Sequence, residues 1–402
     1  MTLAHARQLA IEGSRQLAAQ DHGVAAAREM AMAAGQLPDP VLKAGVDNLP
    51  VTGADRFGLT SDFMTMRRVG VMQELTGAGK RRLRGERFER AAEKSLAEKD
   101  LTAAAIERDT ALAWLDRYYA EATAALIAEQ GAQAQLEIQA AEGAYRAGRG
   151  TQADLLAARA ALAMADDRAS ELRLRVRNAR TMLARWVGAA ADLPLAAMPP
   201  LDTLRIDAAD LAAQSAHHPQ IAVLAKQAAI AETEVQLAQA NKKSDWSVEL
   251  TFQQRGPAYS NMLSVGLSFP LQWDQAHRQD RELSSKLSLV EQARAERDEA
   301  LRAHVAETRT LIDEWESRRE RGARYRRELM PFAQQRTAAV LTAYRGGKAG
   351  LQDVLAARRN EIDVRLQALQ LDAEAARLWA QLDFLVPDSA NAHPAAMKRD
   401  TK

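Results

Sequence analysis

Trp246-Ser247-Val248-Glu249-Leu250-Thr251-Phe252-Gln253 alternates apolar and polar residues without an error. Leu263-Ser264-Val265-Gly266-Leu267-Ser268-Phe269 alternates as cleanly. Side chains on a strand point to opposite faces in turn, so both stretches predict strands with one oily and one polar face. A half-buried soluble sheet shares this pattern. Length does not separate the two, because a membrane strand needs only about 9–11 residues.

Two earlier stretches occupy matching places. Val41-Leu42-Lys43-Ala44-Gly45-Val46-Asp47 reads as a strand, and Met66-Arg67-Arg68-Val69-Gly70-Val71-Met72-Gln73-Glu74 reads as its partner with charge inside it. Val69-Gly70-Val71 and Leu75 match Val265-Gly266-Leu267 and Leu271 at a shift of 196 (265 − 69). Before the strands the shift is 206 (Asp39 to Asp245), so the first loop, with Pro50, Gly53 and Gly58, is about 10 residues longer.

The repetition extends to the whole chain. Ala144-Tyr145-Arg146-Ala147-Gly148-Arg149 followed by Asp154-Leu155-Leu156-Ala157-Ala158-Arg159 returns as Ala343-Tyr344-Arg345-Gly346-Gly347-Lys348 followed by Asp353-Val354-Leu355-Ala356-Ala357-Arg358. The shift is 199 at both ends (343 − 144 and 358 − 159). Such a fixed period signals internal duplication. Residues 1–188 form the first repeat and 207–387 the second. The stretch 189–206 is a linker that holds Pro194, Pro199 and Pro200, and 388–402 reads as a disordered tail. Each repeat reads helix, strand, strand, long helix, tight turn, helix.

Lys80 to Gly143 has sustained helical patterning and no proline, and would run about 95 Å. Its counterpart, Ala276 to Thr342, would run about 100 Å, with a kink expected at Pro331. Shorter helices are expected over Leu3–Gly35, Thr151–Val187, Asp207–Asn241 and Leu351–Leu385. The two short helices of a repeat sum to about 105 Å, which suits a second rod beside the long one. Their apolar stripes are narrow and rich in Ala, as at Ala103-Ala104-Ala105, which suits close packing into a curved wall. A plain coiled-coil rod, as in a soluble scaffold or adaptor, is the alternative. It would not need four strands at mirrored places.

Composition narrows the function. The 402 residues carry 54 Lys plus Arg against 53 Asp plus Glu, and this balance argues against a nucleic-acid binder. Cysteine is absent, so structural disulfides, thiolate metal sites and cysteine nucleophiles are excluded. No run approaches the roughly 20 apolar residues of a membrane helix. Met1-Thr2-Leu3-Ala4-His5 also lacks a secretion signal, so the expectation is either a cytoplasmic protein or one whose signal lies outside this numbering. Four strands cannot close a barrel, and lipid does not tolerate open strand edges. Two chains would give eight strands with a filled interior, and three would give twelve with a conduit. Three are expected.

The duplicated unit, the paired Tyr-Arg-x-Gly turns, the alternating strands and His218-Pro219-Gln220-Ile221 opening a helix together resemble the TolC-type outer-membrane efflux channels. The resemblance runs from about Leu3 to Pro387. It implies a mainly α fold with a small β part: a long helical barrel, plus four strands per protomer in a trimeric 12-stranded transmembrane barrel. It also implies a passive, non-enzymatic duct in the outer membrane with a periplasmic extension. Its partners would be two further copies, outer-membrane lipid, a periplasmic adaptor and an inner-membrane pump. Leu37-Pro38-Asp39-Pro40, with Met72-Gln73-Glu74 and Lys80-Arg81-Arg82, is similar to the heavy-metal efflux branch and implies metal cations as cargo.

Asp154 and Asp353 each follow a tight turn. They read either as helix-start carboxylates or as rings that constrict the pore at its closed end. The resemblance matches Asp353 to the family's tip aspartates. Arg146, Gly148, Arg345 and Gly347 lie on the same turns, as adaptor-contacting tip residues or as polar turn residues. His217-His218 reads as a solvated helix start, and the other histidines lack ligand spacing. Met64, Met66 and Met72 read as strand or loop filling rather than soft-metal ligands. No cofactor site, metal site or catalytic set is expected.

Overall fold

The computed structural model describes residues 1–206 and 211–385. The expected tail 388–402 and the start of the expected Asp207–Asn241 helix lie outside the described residues. The elements are α1 (Leu3–Glu12), α2 (Arg15–Ala34), β1 (Val41–Asp47), β2 (Met66–Leu75), α3 (Ala78–Arg146), α4 (Gln152–Val187), α5 (Leu211–Ala216), α6 (Pro219–Asn241), β3 (Trp246–Gln254), β4 (Met262–Ser268), α7 (Gln279–Arg324), α8 (Met330–Arg345) and α9 (Leu351–Asp383).

Three expected helices are interrupted, each for a local reason. The helix expected over Leu3–Gly35 breaks between α1 and α2. Gly13 closes the first on the Leu9 carbonyl at 2.9 Å, and the Ser14 hydroxyl accepts from Leu17 N–H at 3.2 Å to start the second. The helix ending at Asn241 breaks before Pro219, which needs no donor at a helix start. Between α7 and α8, Tyr325–Leu329 forms a π-helical turn. Pro331 has no N–H for the carbonyl four residues back, so the helix widens just ahead of it.

The chain forms two compact units, each drawing on segments from both the 1–188 and the 207–387 stretches of the sequence. The first comprises Met1–Ala18, Lys99–Pro219 and the described residues from Leu301 onward. Its core joins Trp114 and Leu115 of α3, Leu183 of α4, Ile312 and Trp315 of α7, and Trp379 and Leu382 of α9. Trp114 and Trp379 stay buried because their indole N–H groups find backbone carbonyls, of Met1 at 3.3 Å and Thr203 at 3.0 Å. Ion pairs tie α9 to α3, at Arg365–Glu129 (2.8 Å) and Arg377–Asp116 (2.6 Å).

The second unit comprises Ala19–Glu98 and Gln220–Ala300. Its helical part is thin. Ala31, Ala92, Ala228, Ala238 and Ala293 are buried, so the helices approach closely and pair their charges across the contacts. Examples are Lys226–Glu93 at 2.8 Å and Lys286–Glu234 at 2.7 Å. Lys80 is buried and meets Asp245 at 2.8 Å beside the start of β3. The four strands form one antiparallel sheet in the order β1-β2-β3-β4.

Candidate functional site

Two regions concentrate the chemistry: the sheet, and the paired turns at the ends of α3 and α8. The sheet's register sorts its residues. Val69 pairs with Phe252 and Val71 with Leu250, while Leu250 and Phe252 face Val265 and Leu263 on β4. Leu42, Leu263, Val265 and Leu267 on this face are 64–71% exposed. That is an apolar surface, bounded on β2 by Arg67 and Gln73, with no covering layer among the described residues.

The opposite face carries Lys43, Asp47, Arg68, Glu249, Thr251 and Ser264. The Lys43 ammonium lies 2.6 Å from Glu249 Oε2, and Arg68 lies 3.4 Å from Asp47. Both edge strands, β1 and β4, have one side unpaired among the described residues.

The two turns share one geometry. Gly148 and Gly347 sit at φ +67° and +71°, the left-handed region that favours glycine. Arg149 N–H reaches back to the Ala144 carbonyl at 2.9 Å, and Lys348 N–H to that of Ala343 at 2.8 Å. This reach-back over a left-handed residue ends each long helix. Ala141, Ala158, Leu351 and Val354 then form one small core, so both turns belong to a single tip.

Asp154 and Asp353 both cap helices at this tip. Asp154 Oδ2 accepts from Thr151 N–H (3.0 Å) and its hydroxyl (2.7 Å), while Thr151 Oγ1 accepts from Asp154 N–H (3.1 Å). The Thr151 hydroxyl, then its N–H, hold the Asp154 carboxyl below the usual range, with a further contribution from Gln352 of the other turn. Asp353 accepts from Gly350 N–H at 2.9 Å and is exposed. Arg146 and Arg345 are exposed, and Arg146 reaches Glu142 of its own helix.

His218 departs from its expected place. The solvated helix start predicted for His217-His218 is overturned at His218, which is buried with its ring centroid 4.0 Å from that of His304. Burial first, then His304 and Arg108, push the His218 pKa down to about 4, against an opposing hydrogen bond at the Leu385 backbone. Burial also lowers His304, opposed by Glu307. His217 itself stays exposed. Among the described residues, no three His, Cys, Asp or Glu side chains converge as a metal site. Met66 and Met72 lie on β2, and Met64 in the loop before it donates its N–H to Asp62.

No family profile and no curated protein sequence matches the chain. Solved structures do. The outer-membrane channel OprN aligns at TM-score 0.80 with 18% identity, covering 96% of this chain and 90% of OprN. The outer membrane protein VceC of Vibrio cholerae aligns at TM-score 0.76 with 18% identity, covering 95% of each chain. CusC, from a study of its folding and transmembrane channel formation, aligns at 0.79 with 15% identity, covering 96% of this chain and 92% of CusC. The chain has the fold of these outer-membrane channel proteins.

Proposed function

We propose that this chain is one protomer of a trimeric outer-membrane channel. In this reading it is a passive duct that carries cargo from an inner-membrane pump, through a periplasmic adaptor, to the outside. The observation that carries it is the sheet: an uncovered apolar face, a charged opposite face and two open edges. Lipid covers the first, water fills the space behind the second, and neighbouring copies pair the third. Three copies supply twelve strands. None of the described helices is long and apolar enough to cross a membrane, so the sheet is the crossing element in this reading. The two similar halves then descend from a duplicated unit, residues 1–188 and 207–387.

The paired turns form the periplasmic tip. Asp154 and Asp353 there narrow the pore as carboxylate rings while also capping their helices. Arg146, Gly148, Arg345 and Gly347 meet the adaptor. We assign heavy-metal cations as the cargo, on the resemblance of Leu37–Pro40 and of the segments downstream, with the CusC likeness beside it. Deleting the gene and scoring tolerance tests this. Greater sensitivity to metal ions than to organic drugs is expected. Unchanged metal tolerance with lost drug tolerance contradicts the cargo assignment but keeps the duct.

A further inference from the structure

We infer that a belt of ion pairs on the polar face of the sheet, built over glycine gaps, keeps the barrel section of the pore electrically balanced, so that this section adds little ionic preference of its own. This rests on reading that face as the wall of a water-filled lumen.

Lys43 is on β1 and Glu249 on β3, so β2 runs between them. The β2 residue opposite Lys43 is Gly70, whose own partner on β3 is Thr251. No side chain stands there, and the lysine stem crosses β2 to bring its ammonium 2.6 Å from Glu249 Oε2. The gap cannot be filled. A Cβ at Gly70 would lie 2.5 Å from Thr251 Oγ1 and 3.0 Å from the Leu250 carbonyl. Thr251 is buried and donates to Glu249 Oε1 at 3.2 Å, so both carboxylate oxygens are held.

The second pair repeats the device. Arg68 stands opposite Gly45, and its Nε lies 3.4 Å from where a Gly45 Cβ would be. The guanidinium therefore lies over β1 and meets Asp47 at 3.4 Å. Gly266 leaves similar room opposite Glu249, 3.7 Å from its Cβ. Side chains that would otherwise project away from the sheet are laid along it.

Stability does not account for the arrangement. Exposed ion pairs contribute about 0–1 kcal/mol, and the two cost the sheet three glycines, which are unfavourable in strands. A closed lumen with low-dielectric walls changes their weight. Charges there focus the field on passing ions. Lys43 cancels Glu249 and Arg68 cancels Asp47, so these two pairs are neutral together; Glu74, further along β2 on the same face, accepts from the Thr76 hydroxyl and lies outside the belt. Removing one partner leaves three like charges around the lumen of a trimer.

Reversal potentials of the reconstituted trimer across a salt gradient test this. Lys43→Gln should shift the cation-to-anion permeability ratio about threefold or more toward cations, and Glu249→Gln a similar amount toward anions. The double variant should return close to the parent. The chain has no cysteine, so Ser264→Cys on the same face gives a unique thiol that can be labelled after assembly. An anionic thiol reagent there should favour cations and a cationic one anions, whether or not the charge variants assemble. Conducting trimers whose selectivity ignores both the substitutions and the labels overturn the belt and leave the channel standing. A parent protein that never conducts overturns the channel reading itself.

Discussion

The tryptophans divide the molecule. Trp114, Trp315 and Trp379 are buried in the first unit, at 0%, 5% and 7% exposure. Trp246, on the sheet, and Trp273, just after it, belong to the second unit and are 50% and 87% exposed. Trp246 meets only the ring of Phe269 at 5.1 Å among described aromatic contacts. These three tryptophans of the first unit do core work, and the indole N–H groups of Trp114 and Trp379 reach carbonyls while that of Trp315 has no partner among the described residues. Those of the second stand where an apolar face ends, the place aromatic girdles take at a membrane boundary. The first unit thus has a core built around its tryptophans, whereas the apolar face of the sheet in the second is uncovered among the described residues, which the proposed reading assigns to lipid and further copies.

Substitutions should respond differently in the two units. Trp379→Ala removes a core ring and its bond to Thr203, and should cost about 3–5 kcal/mol in denaturant unfolding. Trp273→Ala should change unfolding little and lower the yield of membrane-inserted protein. An equal stability loss in both would erase the distinction.

Next in size is the sheet itself. Val265→Arg places a cation on the apolar face, at about 2–4 kcal/mol per chain near the bilayer midplane. Ser264→Arg, one residue earlier, faces the other way. Heat-modifiable oligomers in membrane extracts should vanish for the first and persist for the second. Their disappearance in both would mean that neither face touches water.

Histidines sharpen the same comparison. His218 ordinarily titrates near 6.5 and is pushed to about 4 in the fold. Between those values the unfolded chain binds the extra proton, so stability is full above about pH 6.5 and falls as pH drops toward 4. The neighbouring His304, held down by burial, adds to the same trend, with Arg108 and Glu307 the charged groups that also act on the pair. The loss at pH 4 should be on the order of 2 kcal/mol. His218→Gln should remove most of that slope in melting curves between pH 4 and 7.5.

The smallest effect concerns the tip. Asp353→Asn should weaken cation preference in single-channel recordings, and Asp154→Asn added to it should weaken it further. Loss of the Thr151 capping box should also cost about 0.5–1 kcal/mol. If conductance and selectivity stay put while stability falls, the carboxylates cap and do nothing else.

Much of this was legible in the sequence because it is periodic and local. The β3 and β4 alternation fixed strand positions to within a residue, and the Tyr-Arg-x-Gly repeats located two turns that share their hydrogen bonds. The helix start at Pro219 and an irregularity at Pro331 were legible, whereas the break at Gly13 and the π form of the turn ahead of Pro331 were not. Each depends on which backbone donors find partners rather than on side-chain pattern. His218, in the bend between α5 and α6, and His304, on α7, are 86 positions apart (304 − 218), so no spacing rule connects them. The charge in β1 and β2 was visible, yet its meaning needed the register: only the pairing of Lys43 with Gly70 shows that the lysine crosses a strand.

The central claim is that β1 of one copy pairs with β4 of the next until three chains close a ring. Cysteines introduced at Leu42 and, one at a time, at Leu263, Val265 or Leu267 test it in membranes, free of background in a cysteine-less chain. Within one chain β1 and β4 lie on opposite edges of the sheet, with β2 and β3 between them. A disulfide needs Cα atoms about 4.4–6.8 Å apart, so only a strand from a neighbouring copy brings the two together. The account predicts that at least one pairing gives covalent trimers, reducible to monomers, with nothing larger. Dimers as the end point, an open ladder of higher species, or no cross-link at any of the three positions would contradict it.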